Sequence, residues 1–343
     1  MRYSNIYVFL IIQTIIAFRN QQLNRRPSDI IARYNASASC IPEKLFWDNY
    51  SRKFVAEQGR AAKVSSGPKV MFYWYDTKPI VRKVFDLQKT VIDKAMWEIK
   101  ALFFFQKIER VVRIICCTKS QDKVSLFMDR LLGSVYDKLA EFQAFDWPEK
   151  LRMVSHVTQS FAQMHGMQYI HGDIKSANVA FNRESNGLRI IDLGMVSKIG
   201  QDFKGYTRFY VAPELISGPY HVRHAHYSQD VWSWGVTLYE MFVPGLGNAI
   251  EALNNNSLPQ VIDEIVLGKM NEMLYQMQQS TGLPLYNVIS SWMVFDPLNR
   301  PTMHQMYEAL TKLHMMAYNQ RVEQASPIRL SPHNQIRRNQ GPR

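Results

Sequence analysis

The chain has 343 residues, enough for one large domain or two lobes of ordinary size. Apolar residues make up 46% and charged residues 20%, which excludes global disorder, and three cysteines exclude a disulfide framework or a Cys-rich zinc module. Lysine plus arginine is 41 against 29 acids, so the net charge of +12 suits anionic partners and says nothing of fold.

The N-terminus differs from the rest. An apolar run spans Ile6 to Phe18, broken only by Gln13 and Thr14, with Arg2 before it and Arg19 after it. Thirteen helical residues reach roughly 20 Å, short of the roughly 30 Å hydrocarbon core. Residues 1–20 therefore read as a secretory signal peptide first, then as an N-terminal anchor or a packed helix or strand. This points to the secretory pathway or secretion, with membrane-anchored or cytoplasmic as alternatives. Asn35, Asn49 and Asn255 open glycosylation sequons, which add little by themselves. Residues 21–51 read as a linker.

From about 55 to 130, short β-branched and aromatic runs read as strands: Val70–Tyr75, Ile80–Phe85, Val111–Cys117 and Ser125–Met128. Cys116 and Cys117 read as core residues. One helix interrupts the strands, from about Thr90 to Phe105. After about 135 the helical period dominates. Asp146 and Glu149 form a capping-box pattern, followed by Leu151, Val154, Val157, Phe161 and Met164 on one face. Val231, Trp234, Leu238 and Met241 repeat that spacing, and Trp232 and Val236 make their helix apolar nearly all round, hence central. Met303, Met306, Leu310 and Leu313 mark a last helix. A strand-rich part followed by a helical part suggests two lobes.

One segment carries chemistry. His171-Gly-Asp173-Ile-Lys175-Ser-Ala-Asn178 places a carboxylate, an ammonium and an amide in one loop, and Asp192-Leu-Gly194 follows fourteen residues after Asn178. The pair of motifs resembles the catalytic core of a eukaryotic-type protein kinase, serine/threonine type. The resemblance implies roles. Asp173 would accept the proton of the substrate hydroxyl, and Lys175 would balance charge on the γ-phosphate. Asn178 and Asp192 would hold Mg2+. Upstream, Lys83 matches the phosphate-binding lysine. Glu98, fifteen residues on, lies on one helix face with Val91, Ala95 and Leu102. A carboxylate in an apolar stripe needs a partner, and Lys83 is the one the family supplies. Downstream, Ala212-Pro-Glu214, Asp230 to Gly235 and Arg300 match structural positions, with Arg300 expected to pair with Glu214. Thr207, before Ala212, and Lys175 follow the serine/threonine spelling. Met128 falls at the gatekeeper of the adenine pocket, and Asp129, Arg130 and Leu131 at the hinge.

The expected fold is α+β and bilobal: a small antiparallel-sheet N-lobe with one helix, and a larger, mainly helical C-lobe. The kinase domain is expected over 52–318, with the N-lobe at 52–130 and the C-lobe at 131–318. The expected partners are ATP, Mg2+ and a protein substrate, an acidic one given the charge; nucleic acid is not expected, and the chain is expected to be a monomer.

The sequence departs from the family in two places. The phosphate-covering loop would fall on 57–64, where Gly59 and Val64 match but Glu57 and Ala62 replace glycines. Gly172 replaces the arginine that in the family receives an activation-loop phosphate, so control by that phosphate is not expected. These departures keep a pseudokinase scaffold as the alternative to an active kinase. A small-molecule phosphotransferase fits less well, because Ala212-Pro-Glu214 is present. His221, His224 and His226 read as a surface loop in preference to a zinc site. Residues 319–343 hold five arginines and one acid and read as a disordered basic tail, with Ser326 and Ser331 each before a proline.

Overall fold

The computed structural model describes residues 31, 39–62 (57–62 through the backbone), 68–88, 90, 92–182, 187–216, 223–246 and 262–325. The expected leader, Asn35, Val64, His221, Asn255, Ser326 and Ser331 lie outside the described residues. The chain divides into two compact units, one holding the described residues through Leu131 plus Asp192–Gly194, the other Leu132–Ile191 and Met195 onward.

The first unit is a curled sheet with helices. Its elements are β1 (Ile41–Pro42), α1 (Glu43–Tyr50), β2 (Phe54–Ala62), β3 (Lys69–Tyr75), β4 (Lys78–Asp86), α2 (Ile92–Phe104), β5 (Ile114–Lys119) and β6 (Lys123–Asp129). Strand order is β1-β5-β6-β4-β3-β2. All neighbours are antiparallel except β1 and β5, which run parallel, with Ile41 opposite Thr118. The β-branched and aromatic runs become strands because alternate side chains can pack on a pleated face. In β4, Arg82 and Lys83 therefore face opposite sides of the sheet.

Two expectations are corrected here, at residues 41–50 and at the cysteines. Residues 41–50, expected inside a linker, form β1 and α1. Ile41, Phe46 and Tyr50 are fully buried with Phe54, Ile80 and Phe127. The i,i+4 pair Phe46 and Tyr50, with Leu45 and Trp47 beside Phe46, was the available signal. Over 52–130 the sheet is antiparallel with one α-helix, as expected, and β1 and α1 add a parallel edge strand and a second helix ahead of it. Cys40 and Cys117, 77 residues apart, form a disulfide, while Cys116 is a free, buried core thiol as expected. A low cysteine count excludes a framework but not one bridge.

The second unit is mainly helical. It contains α3 (Leu139–Ala144), α4 (Trp147–Gly166), β7 (Tyr169–Ile170), β8 (Val179–Asn182), β9 (Gly187–Ile190), β10 (Ser197–Lys198), α5 (Tyr227–Phe242), α6 (Glu264–Thr281), α7 (Leu285–Ile289) and α8 (Met303–Ala325). The Asp146 side chain caps α4 by accepting from the Glu149 N–H at 3.0 Å. The reciprocal half of the capping box is replaced: Glu149 takes the Arg152 guanidinium, because a charged fork outcompetes a backbone N–H. α5 is buried on all faces, with Trp232 and Trp234 fully enclosed. His226 caps it, accepting from Ser228 N–H, while Gln229 accepts from His226 N–H. α8 buries Met303, Met306, Leu310, Leu313 and Ala317 and runs to Ala325, so 319–325 are helical where a tail was expected. No helix among the described residues is long and apolar enough to cross a membrane.

Candidate active site

In the first unit, β4 and α2 bring two opposite charges together. Lys83 Nζ lies 2.6 Å from Glu98 Oε1 and 3.6 Å from Asp192 Oδ2. Glu98 is buried among Ala95, Ile99 and Leu102. Burial pushes the Lys83 ammonium down, but the carboxylates facing it, Glu98 first and then Asp192, outweigh burial and raise its pKa. Burial raises the Glu98 carboxyl, with Lys83 opposing it. Asp192 holds a left-handed backbone, φ 59°, which Asp tolerates better than most side chains. Its Oδ1 accepts from the Gly194 N–H at 3.2 Å.

In the second unit, the loop between β7 and β8 carries the other group. Asp173 Oδ2 accepts from Lys175 Nζ at 2.7 Å and from Asn178 Nδ2 at 2.9 Å. Asn178 Nδ2 also donates to the Asp173 carbonyl at 2.8 Å, which spends the amide nitrogen and leaves its oxygen for a cation. The other carboxylate oxygen accepts from Thr207 at 2.6 Å.

The loop is held from below by α5. Asp230 accepts from the backbone N–H groups of His171 at 2.7 Å and Gly172 at 2.9 Å, and contacts His165 Nε2 at 2.9 Å. Burial opposes its charge, but these donors prevail and hold its carboxyl below the ordinary range. Gly172 sits at φ 79°, and a Cβ there would lie 2.6 Å from the Met195 carbonyl oxygen. Its glycine is thus a requirement of this backbone as well as the loss of an arginine. Farther along, Arg300 forks onto Glu214 at 2.7 and 2.8 Å, in full burial, as the sequence suggested.

The sequence profile described as the protein kinase domain matches residues 61–310. The chain belongs to the protein kinase family. It is 30% identical over 136 residues to human cGMP-dependent protein kinase 2, covering 38% of this chain and 17% of that protein. It is 26% identical over 171 residues to mitogen-activated protein kinase kinase kinase 1 of Rattus norvegicus, covering 47% and 11%. It is 24% identical over 241 residues to a probable serine/threonine-protein kinase, mkcD, of Dictyostelium discoideum, covering 68% and 35%. The chain spans about a third or less of these relatives' lengths.

Kinase chemistry gives these contacts a reading, and the donor set fits it. Within the first unit Lys83 is a charged ammonium suited to phosphate oxygens and Asp192 a hard oxygen donor; within the second, the Asn178 amide oxygen is a donor of the same kind, the kind magnesium prefers. Of the residues expected at the gatekeeper and hinge, Met128 lies half-buried on β6 opposite Val81. The Asp129 carboxylate is forked by Arg113 at 2.9 Å on both oxygens, and half-buried Leu131 closes the unit. Gly59 lies in β2 where pairing is irregular: Ala56 faces Tyr73 and Ala61 faces Met71, so the residues between them stand opposite Phe72 alone. Two residues escaped the sequence-based site. Thr207 was read only as a family spelling, and Asp230 only as a helix start. A carboxylate in an otherwise apolar helix was the signal for the second, as for Glu98.

Proposed function

We propose that this kinase is catalytically active: it transfers the γ-phosphoryl group of ATP to serine or threonine hydroxyls of proteins, and does so without a phosphate on its activation segment. The observation that carries this reading is the closed triangle of Asp173, Lys175 and Thr207. In it the acceptor-side carboxylate is already oriented and the segment already docked. In the transfer, Asp173 orients the substrate hydroxyl and takes its proton. Lys175 offsets charge on the moving phosphoryl group. Lys83, kept charged by Glu98, anchors the nucleotide phosphates, and Asp192 and Asn178 hold magnesium, which neutralises phosphate charge when bound.

Two further points are supported. The segment from Met195 to Thr207 carries Lys198 and Lys204 with Asp202 as its one acid, and Arg208 follows; this favours acidic substrates. A disulfide at Cys40 favours an oxidising compartment, in line with a secretory leader.

The test is radiolabelled transfer from ATP–Mg2+ to an acidic and a basic protein, with Asp173→Ala alongside. Transfer by the wild type, preferring the acidic protein and lost in the variant, is expected. A second reading, nucleotide binding without turnover, is favoured by Glu57 and Ala62 in the phosphate-covering loop. It would be shown by ATP raising the melting temperature while no label moves.

A further inference from the structure

The face of the sheet opposite Lys83 is covered by a segment that precedes the family match. Arg82, the neighbour of Lys83 on β4, turns toward it. Its Nη2 donates to Glu43 Oε1 at 2.7 Å and to Ser125 Oγ at 2.9 Å, and its Nε donates to the same Ser125 oxygen at 3.1 Å. The guanidinium lies 5.3 Å from the Trp47 ring centroid and 5.6 Å from that of Phe127. Glu43 Oε1 also accepts from Trp47 Nε1 at 3.3 Å. The Arg82 side chain is only 11% exposed. A charge so enclosed must keep its partners, and Glu43 and Trp47 both come from α1.

The segment is itself tied down twice. Cys40 is bonded to Cys117 of β5, and β1 pairs with the same strand. Phe46 then packs, tilted, with its ring centroid 4.9 Å from that of Phe127, the β6 residue directly across from Arg82. The strap from Cys40 to Tyr50 thus grips one face of β4 at Arg82, while the next residue presents its ammonium on the other face.

We propose that this strap positions the nucleotide-binding lysine: by fixing Arg82 through Glu43 and Trp47, it sets the register and tilt of β4 from which Lys83 meets Glu98. Arg82 and Glu43 are positioning residues and touch no substrate. The inference rests on the kinase reading above for its consequence, ATP affinity, but not for its local effect on Lys83.

The experiment uses the full chain with Glu43→Gln, Arg82→Met, Arg82→Lys and Cys40→Ser. Three quantities are read: ATP–Mg2+ affinity by calorimetry, the rate at which an amine-reactive reagent modifies Lys83 with no nucleotide present, and the melting temperature. Arg82→Met removes all three of the Arg82 hydrogen bonds and is expected to raise Kd for ATP about tenfold and to speed Lys83 modification several-fold. Arg82→Lys should restore part of both, and Glu43→Gln and Cys40→Ser should shift both in the same direction by less. The KM for protein substrate should stay within about twofold of wild type. If Arg82→Met proves unfolded, Glu43→Gln, which keeps shape and removes only charge, decides. Melting temperatures that fall while ATP affinity and Lys83 modification stay at wild-type values would overturn the proposal and leave the strap as packing alone. A folded wild type that binds no ATP would defeat the kinase reading, while the modification rates would still judge the strap.

Discussion

Thr207 Oγ1 donates to Asp173 Oδ1 at 2.6 Å, and the same Thr207 oxygen accepts from Lys175 Nζ at 2.7 Å. One hydroxyl thus joins a carboxylate and an ammonium that also touch each other. The activation segment is docked on the catalytic loop by a threonine. It is held farther back by β10 pairing with β7 and by Lys204 donating to the Val196 carbonyl at 2.9 Å.

Removing that hydroxyl should slow transfer while the fold persists. Thr207→Val keeps the branched shape but leaves Asp173 and Lys175 each short of a hydrogen bond. We expect kcat to fall about 10- to 100-fold, equivalent to about 1–3 kcal/mol, with little change in KM for ATP. Thr207→Ser should retain most of the rate. Steady-state phosphate transfer on the two variants checks this, and equal rates would show that the triangle is not used in turnover.

The Glu214–Arg300 fork is structural. Arg300 also donates to the carbonyls of Val294, Ser228 and Phe295, and stacks 4.9 Å from the Trp232 ring centroid. Arg300→Met alone leaves a buried carboxylate unpaired and should cost about 3–5 kcal/mol of stability. Glu214→Gln with Arg300→Met should cost less than the sum of the two singles. Urea unfolding of the three variants closes the cycle.

The parts of this fold that were legible in the sequence are those where chemistry and spacing coincide. Glu98 in an apolar stripe requires a cation, and the kinase resemblance names Lys83 as that cation. The buried α5 was legible because Trp232 and Val236 extend its apolar surface beyond one face. What was hidden depends on long-range partners with weak local signals. Cys40 and Cys117 meet only because β1 lies along β5. Glu43 is an ordinary acid until Arg82 arrives. Thr207 is an ordinary threonine until the activation segment folds back. Gly172 was legible as a substitution, but its φ of 79° and the carbonyl beside it were not.

Acid should loosen the catalytic loop through Asp230. Its folded pKa lies below its unfolded value, so the stability it contributes is present above about pH 3.9 and is lost as pH falls through the folded value. Wild type should therefore lose stability on acidification below about pH 4 more steeply than Asp230→Asn. The Asn variant should be less stable at neutral pH, since it accepts fewer backbone N–H bonds. Urea midpoints measured from pH 7 to pH 3 test the sign. Parallel curves would show that Asp230 carries no linkage.

Restoring the arginine that the family has before its catalytic aspartate should harm this protein. Gly172 adopts φ 79°, where an L side chain is strained, and the new Cβ would meet the Met195 carbonyl oxygen at 2.6 Å. That oxygen is backbone and accepts from Ser197 Oγ at 3.1 Å, so it cannot move without disturbing the start of the activation segment. Gly172→Arg should destabilise by about 1–3 kcal/mol, and Gly172→Ala by a similar amount, because the cost lies in the Cβ. Transfer should fall in both, with no new dependence on phosphorylation in the Arg variant. If Gly172→Arg matched wild type in melting temperature and gained activity on treatment with an upstream kinase, the glycine would be a loss of control alone and not a requirement of the backbone.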